Sequence, residues 1–172
     1  MKIRAFIQAR HGSTRFPHKV VSILDGKVLI DRVRAAAESI KGVSNVQILW
    51  AEQYPHLEDN DVPRRFAEAA EKYPCDAIVR ITADCPLLDP NVSSLVVKAF
   101  SEKPGISYAS NIWPKRTWPD GLDTEIFSVS LLKLADKMAT DPYDREHVTP
   151  WMQKYVKHRN TYAKVELPVD WS

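Results

Sequence analysis

The sequence predicts an α/β fold in which a mostly parallel sheet carries helices on both faces. Short apolar runs alternate along the chain with longer segments whose apolar residues recur at helical spacing. Such alternation is typical of parallel strands joined by helical crossovers. The chain has 172 residues and contains no internal repeat, low-complexity tract or linker. A length of this order favours one domain and is sufficient to bury a core.

The first half of the chain contains most of this alternation. Residues 3–8 are predicted to form a buried strand that opens into a loop, and residues 46–50 a second strand. Residues 28–40 have the apolar spacing of a helix. A further helix is predicted from Asp61, as its cap, to about residue 73, because Pro63 is tolerated in a first turn.

The second half continues the pattern and then changes. Residues 77–81 and 106–110 are predicted strands, and Asp89 and Pro90 are predicted to start the helix between them. The Pro- and Trp-rich segment 113–120 is predicted to be a loop.

The last fifty residues are predicted to contain an extended segment, two helices and a final strand. An extended segment, 123–129, precedes a helix that begins at Ser130. Another helix covers 145–155, with Pro150 either disturbing it or lying near its start. A final strand is expected within 161–167.

Composition and charge limit the function classes. Hydrophobic residues make up 44% and charged residues 27%, which is typical of a globular protein. No apolar run approaches the length of a membrane helix, and the first ten residues become polar too early for a signal peptide. The two cysteines have no metal-site or redox spacing, so a reduced, cytoplasmic setting is expected.

Basic residues are concentrated at the N-terminus, although the net charge is only +2. The first acidic residue is Asp25, and five cations precede it: Lys2, Arg4, Arg10, Arg15 and Lys19. This local excess suits a polyanionic ligand, and a solvated basic surface is the alternative. There is no long basic stripe with interleaved aromatic residues, so nucleic acid is not the expected partner.

The loop after the first strand has the chemistry of a phosphate site. Ligands bind beyond the carboxyl ends of strands in sheets of this kind, which makes the loops 9–19, 82–89 and 111–123 candidates. Gly12 allows close backbone approach to a phosphate, and Ser13 and Thr14 add hydroxyl donors. The cations able to neutralise a triphosphate are Arg10, Arg15 and Lys19. This is neither a Walker loop nor a dinucleotide fingerprint, and a basic surface turn is the alternative.

The segment IQARHGSTRFPHKV, residues 7–20, resembles the opening of the sugar cytidylyltransferases. The most similar branch is the spore coat polysaccharide biosynthesis protein F family. Its relatives make CMP-3-deoxy-manno-octulosonate and CMP-N-acetylneuraminate. Residues 80–90, 119–127 and 145–150 resemble further segments of that branch, in the same order.

The resemblance implies the nucleotide-diphospho-sugar transferase (Rossmann-like) fold, as a single domain over 1–172 that ends before the C-terminal part of the family fold. It also implies attack by a sugar hydroxyl on the α-phosphate of CTP or a related nucleotide, with Mg²⁺ as cofactor and pyrophosphate as leaving group. The sugar, acidic or of another kind, would serve cell-surface polysaccharide synthesis. The implied nucleotide-binding residues are Gln8, Ala9, Arg10, Gly12, Ser13, Thr14, Arg15, Lys19 and Thr82. The implied catalytic residues are Arg10, Lys19 and Asp84.

Asp84 is the expected metal ligand. It follows a predicted strand in the segment TADCP, and Mg²⁺ takes one or two carboxylates together with phosphate oxygens and water. A turn or cap residue is the alternative reading. Arg80 and Thr82 are secondary candidates for ligand contacts, and Cys85 is expected to be a buried thiol without a nucleophilic role.

The sugar site is expected in the last two matching segments. Carboxylates there can accept hydrogen bonds from hydroxyl groups, and the candidates are Asp120, Asp123, Glu125, Arg145, Glu146 and His147. A helix start with a structural salt bridge is the alternative for residues 145–147. Trp113 and Trp118 are expected to cover the sugar or to form a subunit contact in a homodimer.

The chain departs from the family in three places. The segment between Trp50 and Asp61 is short, and His18 replaces a usual glycine. The sequence stops at Ser172, whereas relatives continue into an Asp-rich segment that supplies a second metal ligand in some of them, and Asp170 comes too early for that role. Two rival hypotheses follow. One is an inactive nucleotide- or sugar-binding member of the same fold, and the other is a nucleic-acid-binding module that uses the basic loop.

Overall fold

The computed structural model describes residues 1–12 and 16–167. Its strands are β1 (Ile3–Ala9), β2 (Ile23–Leu24), β3 (Lys27–Val28), β4 (Val43–Trp50), β5 (Ala77–Thr82), β6 (Tyr108–Ser110), β7 (Glu125–Ser128) and β8 (Tyr162–Lys164). Its helices are α1 (Leu29–Glu38), α2 (Val62–Lys72), α3 (Pro90–Glu102), α4 (Val129–Met138), α5 (Pro142–His147) and α6 (Thr149–Arg159). Ser13, Thr14, Arg15 and Asp170 lie outside the described residues.

Six strands form one sheet in the order β4-β1-β5-β7-β6-β8, and β2 and β3 form a separate hairpin. The strands β4, β1 and β5 are parallel, as are β6 and β8. The exception is β7, which is antiparallel to both β5 and β6. The predicted mostly parallel sheet is therefore confirmed, and the extended segment after the Pro- and Trp-rich loop is its reversed strand.

Helices cover both faces of the sheet, as predicted. Alternate residues of each strand point to opposite faces, and each set joins a separate core. One core packs α1 and α3 on the sheet. The other packs α2, α4 and α6, and its centre is a row of aromatic rings in which Phe66 contacts Phe6 and Phe127 at centroid distances of 5.9 and 6.4 Å.

The predicted helix over 145–155 is interrupted. Helix α5 ends at His147 and α6 begins at Thr149, because the buried residue Val148 between them has φ = 69°. Positive φ is rare for a β-branched residue. Pro150 falls in the first turn of α6, where its missing N–H costs little.

The caps follow the prediction at Asp89 and differ at Asp61. The Asp89 carboxylate accepts from the N–H of Asn91 at 2.7 Å, as expected for the cap of α3. Asp61 makes no side-chain cap bond to α2, because its carboxylate pairs with Arg145 instead. Among the helices described, none is long and apolar enough to cross a membrane.

Candidate active site

A cleft of about 300 Å³ lies beyond the carboxyl ends of β1 and β5. Seven predicted nucleotide or metal residues line it: Gln8, Ala9, Arg10, Gly12, Lys19, Thr82 and Asp84. Two predicted sugar residues, Glu146 and His147, line its opposite wall. The cleft therefore lies where strand-end loops of a doubly wound sheet gather ligands.

Lys19 and Asp84 meet inside this cleft. The Lys19 Nζ lies 2.6 Å from Oδ2 of Asp84, although the residues are 65 positions apart in sequence. Burial favours a higher pKa for Asp84, but hydrogen bonds from Lys19 and Thr82, with the charge of Lys19, outweigh it and lower the pKa. Asp84 is therefore an ionised carboxylate at neutral pH.

The loop that follows β1 is held against the end of β4 through His11. Its N–H donates to the Glu52 carboxylate at 2.8 Å, and its ring stacks on Trp50 at a centroid distance of 4.4 Å. Burial favours a higher pKa for Glu52, but the bonds from His11 contribute to a net lowering. A Cβ placed on Gly12 would meet no atom within 4 Å, so the space above that backbone is open.

His18 adopts a left-handed conformation with φ = 58° and donates its N–H to the carbonyl of His11 at 3.2 Å. Glycine adopts this conformation without the steric cost that a Cβ brings. The conformation gives a physical reason for the glycine that the family resemblance places here.

The three residues 145–147, which were predicted to contact the sugar, have different surroundings in helix α5. Arg145 pairs with Asp61 and Asp136, and its Nη1 also donates to the Asp136 carbonyl at 2.7 Å. Its guanidinium is thus occupied by protein and does not line the cleft. Glu146 and His147 are exposed and line the cleft. The salt bridges of Arg145 therefore hold α5 in place while its last turn faces the cleft.

The acidic residues of the third loop lie apart from the cleft lining. Arg116 donates to both carboxylate oxygens of Asp123, at 2.5 and 2.8 Å, and lies 3.6 Å from Asp120. Burial raises the pKa of Cys85, and the charges of Asp84, Asp123 and Asp120 raise it further. These carboxylates therefore lie near the turn that carries Asp84, and the Cys85 thiol stays protonated, which disfavours a nucleophilic role.

Glu125, predicted to contact sugar, lies inside the sheet and is only 2% exposed. The two indoles expected to cover the sugar or to form a subunit contact pack against other parts of the protein. Trp118 is buried and donates its Nε1–H to the Val165 carbonyl at 3.0 Å. The ring of Trp113 packs edge-on against that of Tyr162, with a centroid distance of 4.8 Å.

Two of the cleft residues, Asp59 and Val62, were not predicted from the sequence. They come from the short segment that departs from the family and from the start of α2. Arg65, buried beneath them, donates to the Asp59 carbonyl at 2.9 Å and fixes this wall. This contact joins a side chain to a backbone carbonyl six positions earlier, and no hydrophobic pattern or cap signal predicts it.

The donor set of the cleft fits Mg²⁺. No group of three or more His, Cys, Asp or Glu side chains within residues 1–12 and 16–167 is arranged to hold a metal alone. Mg²⁺ does not need such a group, because it is commonly bound by one or two carboxylates together with substrate phosphates. Asp84, ionised and partly exposed in a cleft with Arg10 and Lys19, has the required oxygen donors.

The sheet order and the strand-end cleft place the chain among the α/β proteins that bind ligands at this edge of the sheet. The chain matches the cytidylyltransferase family over residues 5–48 and 56–168, and it belongs to that family. The unmatched interval falls in the segment that departs from the family.

Individual relatives agree with this assignment. The chain is 29% identical to a cytidylyltransferase structure from Leptospira borgpetersenii, with a TM-score of 0.87 over 100% of this chain and 79% of that one. It is 28% identical to the spore coat polysaccharide biosynthesis protein SpsF of Bacillus subtilis over 87% of this chain and 69% of that protein. It is 30% identical to a 3-deoxy-manno-octulosonate cytidylyltransferase of Trichlorobacter lovleyi over 62% of this chain and 48% of that protein. The chain thus spans about half the length of the last relative.

Replacing Lys19 by Met should raise the pKa of Asp84, because it removes a hydrogen bond and a positive charge that favour the carboxylate. The Asp84 carboxyl carbon, followed by NMR through an acid titration, measures this shift. Lys98→Met, on the solvent-facing side of α3, is the matched control and should leave the pKa of Asp84 unchanged.

The same titration bears on stability. The pKa of Asp84 is lower in the folded chain, so its pairing adds stability above the unfolded pKa, and that contribution is lost as pH falls through the folded pKa. Both side chains are more than a third exposed, so the loss should be small. An unchanged Asp84 titration in Lys19→Met would contradict the pairing.

Proposed function

We propose that this protein transfers CMP from CTP to a sugar hydroxyl and releases pyrophosphate. The observation that carries the proposal is the meeting of the phosphate loop and Asp84 in one cleft, joined by the Lys19–Asp84 pair. Membership of the cytidylyltransferase family supports it. Nucleotide choice and sugar identity are part of the proposal, because a relative named for 3-deoxy-manno-octulosonate is matched over only 48% of its length.

The triphosphate would bind along the first loop. Arg10 and Lys19 line the cleft, and Arg15 belongs to the same loop in sequence. Charge-assisted bonds from these side chains would hold the phosphates, and the open backbone at Gly12 would let them approach closely. The reaction needs an oriented acceptor hydroxyl and stabilisation of charge at the α-phosphate.

Asp84 would hold the magnesium ion. When bound, Mg²⁺ supplies positive charge at the phosphate oxygens and orients the nucleotide. Lys19 would then leave Asp84 and donate to a phosphate. Each member of the ion pair would thus gain a new partner, a phosphate for Lys19 and Mg²⁺ for Asp84. Arg10, Lys19 and Asp84 are accordingly the proposed catalytic residues.

The sugar would bind toward α5. Glu146 can accept hydrogen bonds from hydroxyl groups, and His147 can donate or accept. Asp120 and Asp123 lie near the turn that carries Asp84 and would border the acceptor. An acidic or other sugar destined for cell-surface polysaccharide is the proposed acceptor, and a cytoplasmic location remains a prediction.

Pyrophosphate release tests the whole proposal. Each of the four common ribonucleoside triphosphates is incubated with Mg²⁺ and a panel of acidic and neutral sugars, including 3-deoxy-manno-octulosonate. Release with CTP and one sugar class supports the proposal. Calorimetric CTP binding without turnover across the panel would indicate the inactive alternative. Preference for an oligonucleotide, with a steep salt dependence, would indicate the nucleic-acid module.

Lys19→Ala and Arg15→Ala should each weaken CTP binding without unfolding the domain. Each removes a charge-assisted contact worth about 1.5–3 kcal/mol, or about a 10- to 150-fold change in affinity. Isothermal titration with CTP in the presence of Mg²⁺ measures the loss. Lys103→Ala, whose Nζ bonds the Tyr162 carbonyl at the far edge of the sheet, is the control. Wild-type affinity in both loop variants would remove this loop from the site.

Asp84→Asn should abolish Mg²⁺-dependent turnover and leave folding nearly intact, because it keeps the size of the side chain and removes its charge. If the wild type binds without turnover, the variant should instead lose the Mg²⁺ dependence of CTP affinity. Asp89→Asn is the matched control. It changes the neighbouring aspartate, which caps α3, and asparagine is an equally good cap. An Asp84→Asn variant with wild-type metal dependence would refute the assignment.

A homodimer is also proposed, from the family resemblance. The structure limits the surface that segment 113–129 can offer, because β7 is interior and both indoles pack inside the chain. The exposed part comprises Pro114, Lys115, Arg116, Pro119 and Asp120. Sedimentation velocity at micromolar concentration should show a dimer that Lys115→Glu weakens and Lys98→Glu does not. A monomer at every concentration would be the contrary result.

A further inference from the structure

A continuous chain of polar side chains crosses four adjacent strands of the sheet. In spatial order, Gln8 comes from β1, Arg80 from β5, Glu125 from β7 and Tyr108 from β6. All four project toward the face that α2, α4 and α6 cover, because they share the alternation of Phe6, Ile78 and Phe127 in that core. One end of the chain, Gln8 and Arg80, reaches the cleft.

Each link is a hydrogen bond. Arg80 donates through Nη1 to Oε2 of Glu125 at 2.8 Å and through Nη2 to Oε1 of Gln8 at 3.3 Å. The other oxygen of Glu125 accepts from the Tyr108 hydroxyl at 2.5 Å and from Nε2 of Gln153 at 3.2 Å. Both oxygens of the Glu125 carboxylate are thus used, and neither is available to a ligand.

Stability alone is a weak reason for this arrangement. The side chains of Arg80 and Glu125 are 15% and 3% exposed, and a buried ion pair recovers its desolvation cost only when the remaining polar atoms are satisfied. The Nε of Arg80 is buried without a partner within the described part of the chain. An unpartnered buried donor costs free energy, which points to a role for Arg80 beyond packing.

These hydrogen bonds determine which end of the Gln8 amide faces the cleft. Arginine has five N–H donors and no acceptor, so only the carbonyl end of an amide can face it. With Oε1 held by Arg80, the Nε2 amide group is left for the ligand. Gln8 therefore presents donors, and the cleft selects a ligand with an acceptor atom at that point.

We propose that Arg80, Glu125 and Tyr108 are positioning residues that fix the Gln8 amide as a hydrogen-bond donor to the nucleotide. Glu125 holds the guanidinium, Tyr108 holds Glu125, and the guanidinium holds Gln8. Glu125 acts through this chain without touching the ligand. The inference rests on the proposed function only in taking CTP as the ligand.

We call the hydrogen-bonded series Tyr108–Glu125–Arg80–Gln8 the relay. A double-mutant cycle on CTP affinity tests it. Gln8→Met removes the amide and should weaken Mg²⁺-dependent CTP binding about two- to tenfold, the effect of one hydrogen bond. Glu125→Gln keeps the shape of the side chain and should cause a comparable loss. The double variant should lose no more than Gln8→Met alone, because the relay has no other route to the ligand. The proposal would be overturned if the two losses of affinity multiplied in the double variant, or if Glu125→Gln bound CTP as tightly as the wild type.

A second measurement needs no ligand and no activity. The side-chain amide signal of Gln8, identified by its loss in Gln8→Met, should be resolved and slow to exchange with solvent in the wild type. It should move toward the position of free glutamine in Glu125→Gln, and partly so in Tyr108→Phe, which removes only a hydroxyl. An unmoved Gln8 signal in a folded variant would overturn the relay. If the wild type fails to bind CTP, the proposed function fails, and this signal still tests the relay.

The control removes a buried hydrogen bond outside the chain. Ser93 and Thr124 are both buried, and their hydroxyls lie 2.8 Å apart where α3 packs on the sheet. Ser93→Ala should lower the melting temperature without moving the Gln8 signal or changing CTP affinity. A similar shift of the Gln8 signal in Ser93→Ala would mean that the signal reports general loosening, and it would count against the relay.

Discussion

The parallel pairing of β1 with β5 is the constraint on which the cleft depends. Its register sets Gln8 opposite Thr82, so the phosphate loop and the turn that carries Asp84 leave the sheet at the same level. Lys19 can then reach Asp84. On the other side of β1, the register sets Ala9 opposite Trp50, which brings His11 onto that indole. A shift of one residue in either pairing would turn the strand-end side chains to the wrong face.

The reversed strand β7 supplies the second half of the arrangement. Because it is antiparallel to β5, its first residue, Glu125, lies beside Arg80, near the end of β5 that carries the ligand loops. A parallel strand in that place would put its first residue at the opposite edge of the sheet. The reversal therefore puts a carboxylate within reach of Arg80, although the two residues are 45 positions apart in sequence.

Local patterns predicted the strand ends, the cap at Asp89 and the loops, and hence most of the cleft. Lys19 and Asp84 follow from where apolar runs stop and which residues come next, whereas Gln8 entered the predicted site through the family resemblance. Long-range partners could not be predicted in this way. Arg145 and Glu125 were predicted from the sequence to contact the sugar, yet both are paired with other side chains of the protein. The break at Val148 also escapes prediction, because packing rather than propensity holds a β-branched residue at positive φ.

Two ion pairs near the cleft differ in a way that suits different tasks. Lys19 and Asp84 are 36% and 43% exposed, so water solvates both partners and their separation costs little. Arg80 and Glu125 are 15% and 3% exposed, and separating them would leave an uncompensated charge inside the protein. The exposed pair could therefore exchange partners for a phosphate and a cation, as the proposed function requires. The buried pair could not, and it would hold the sheet side of the cleft fixed while the loop side changes its bonds.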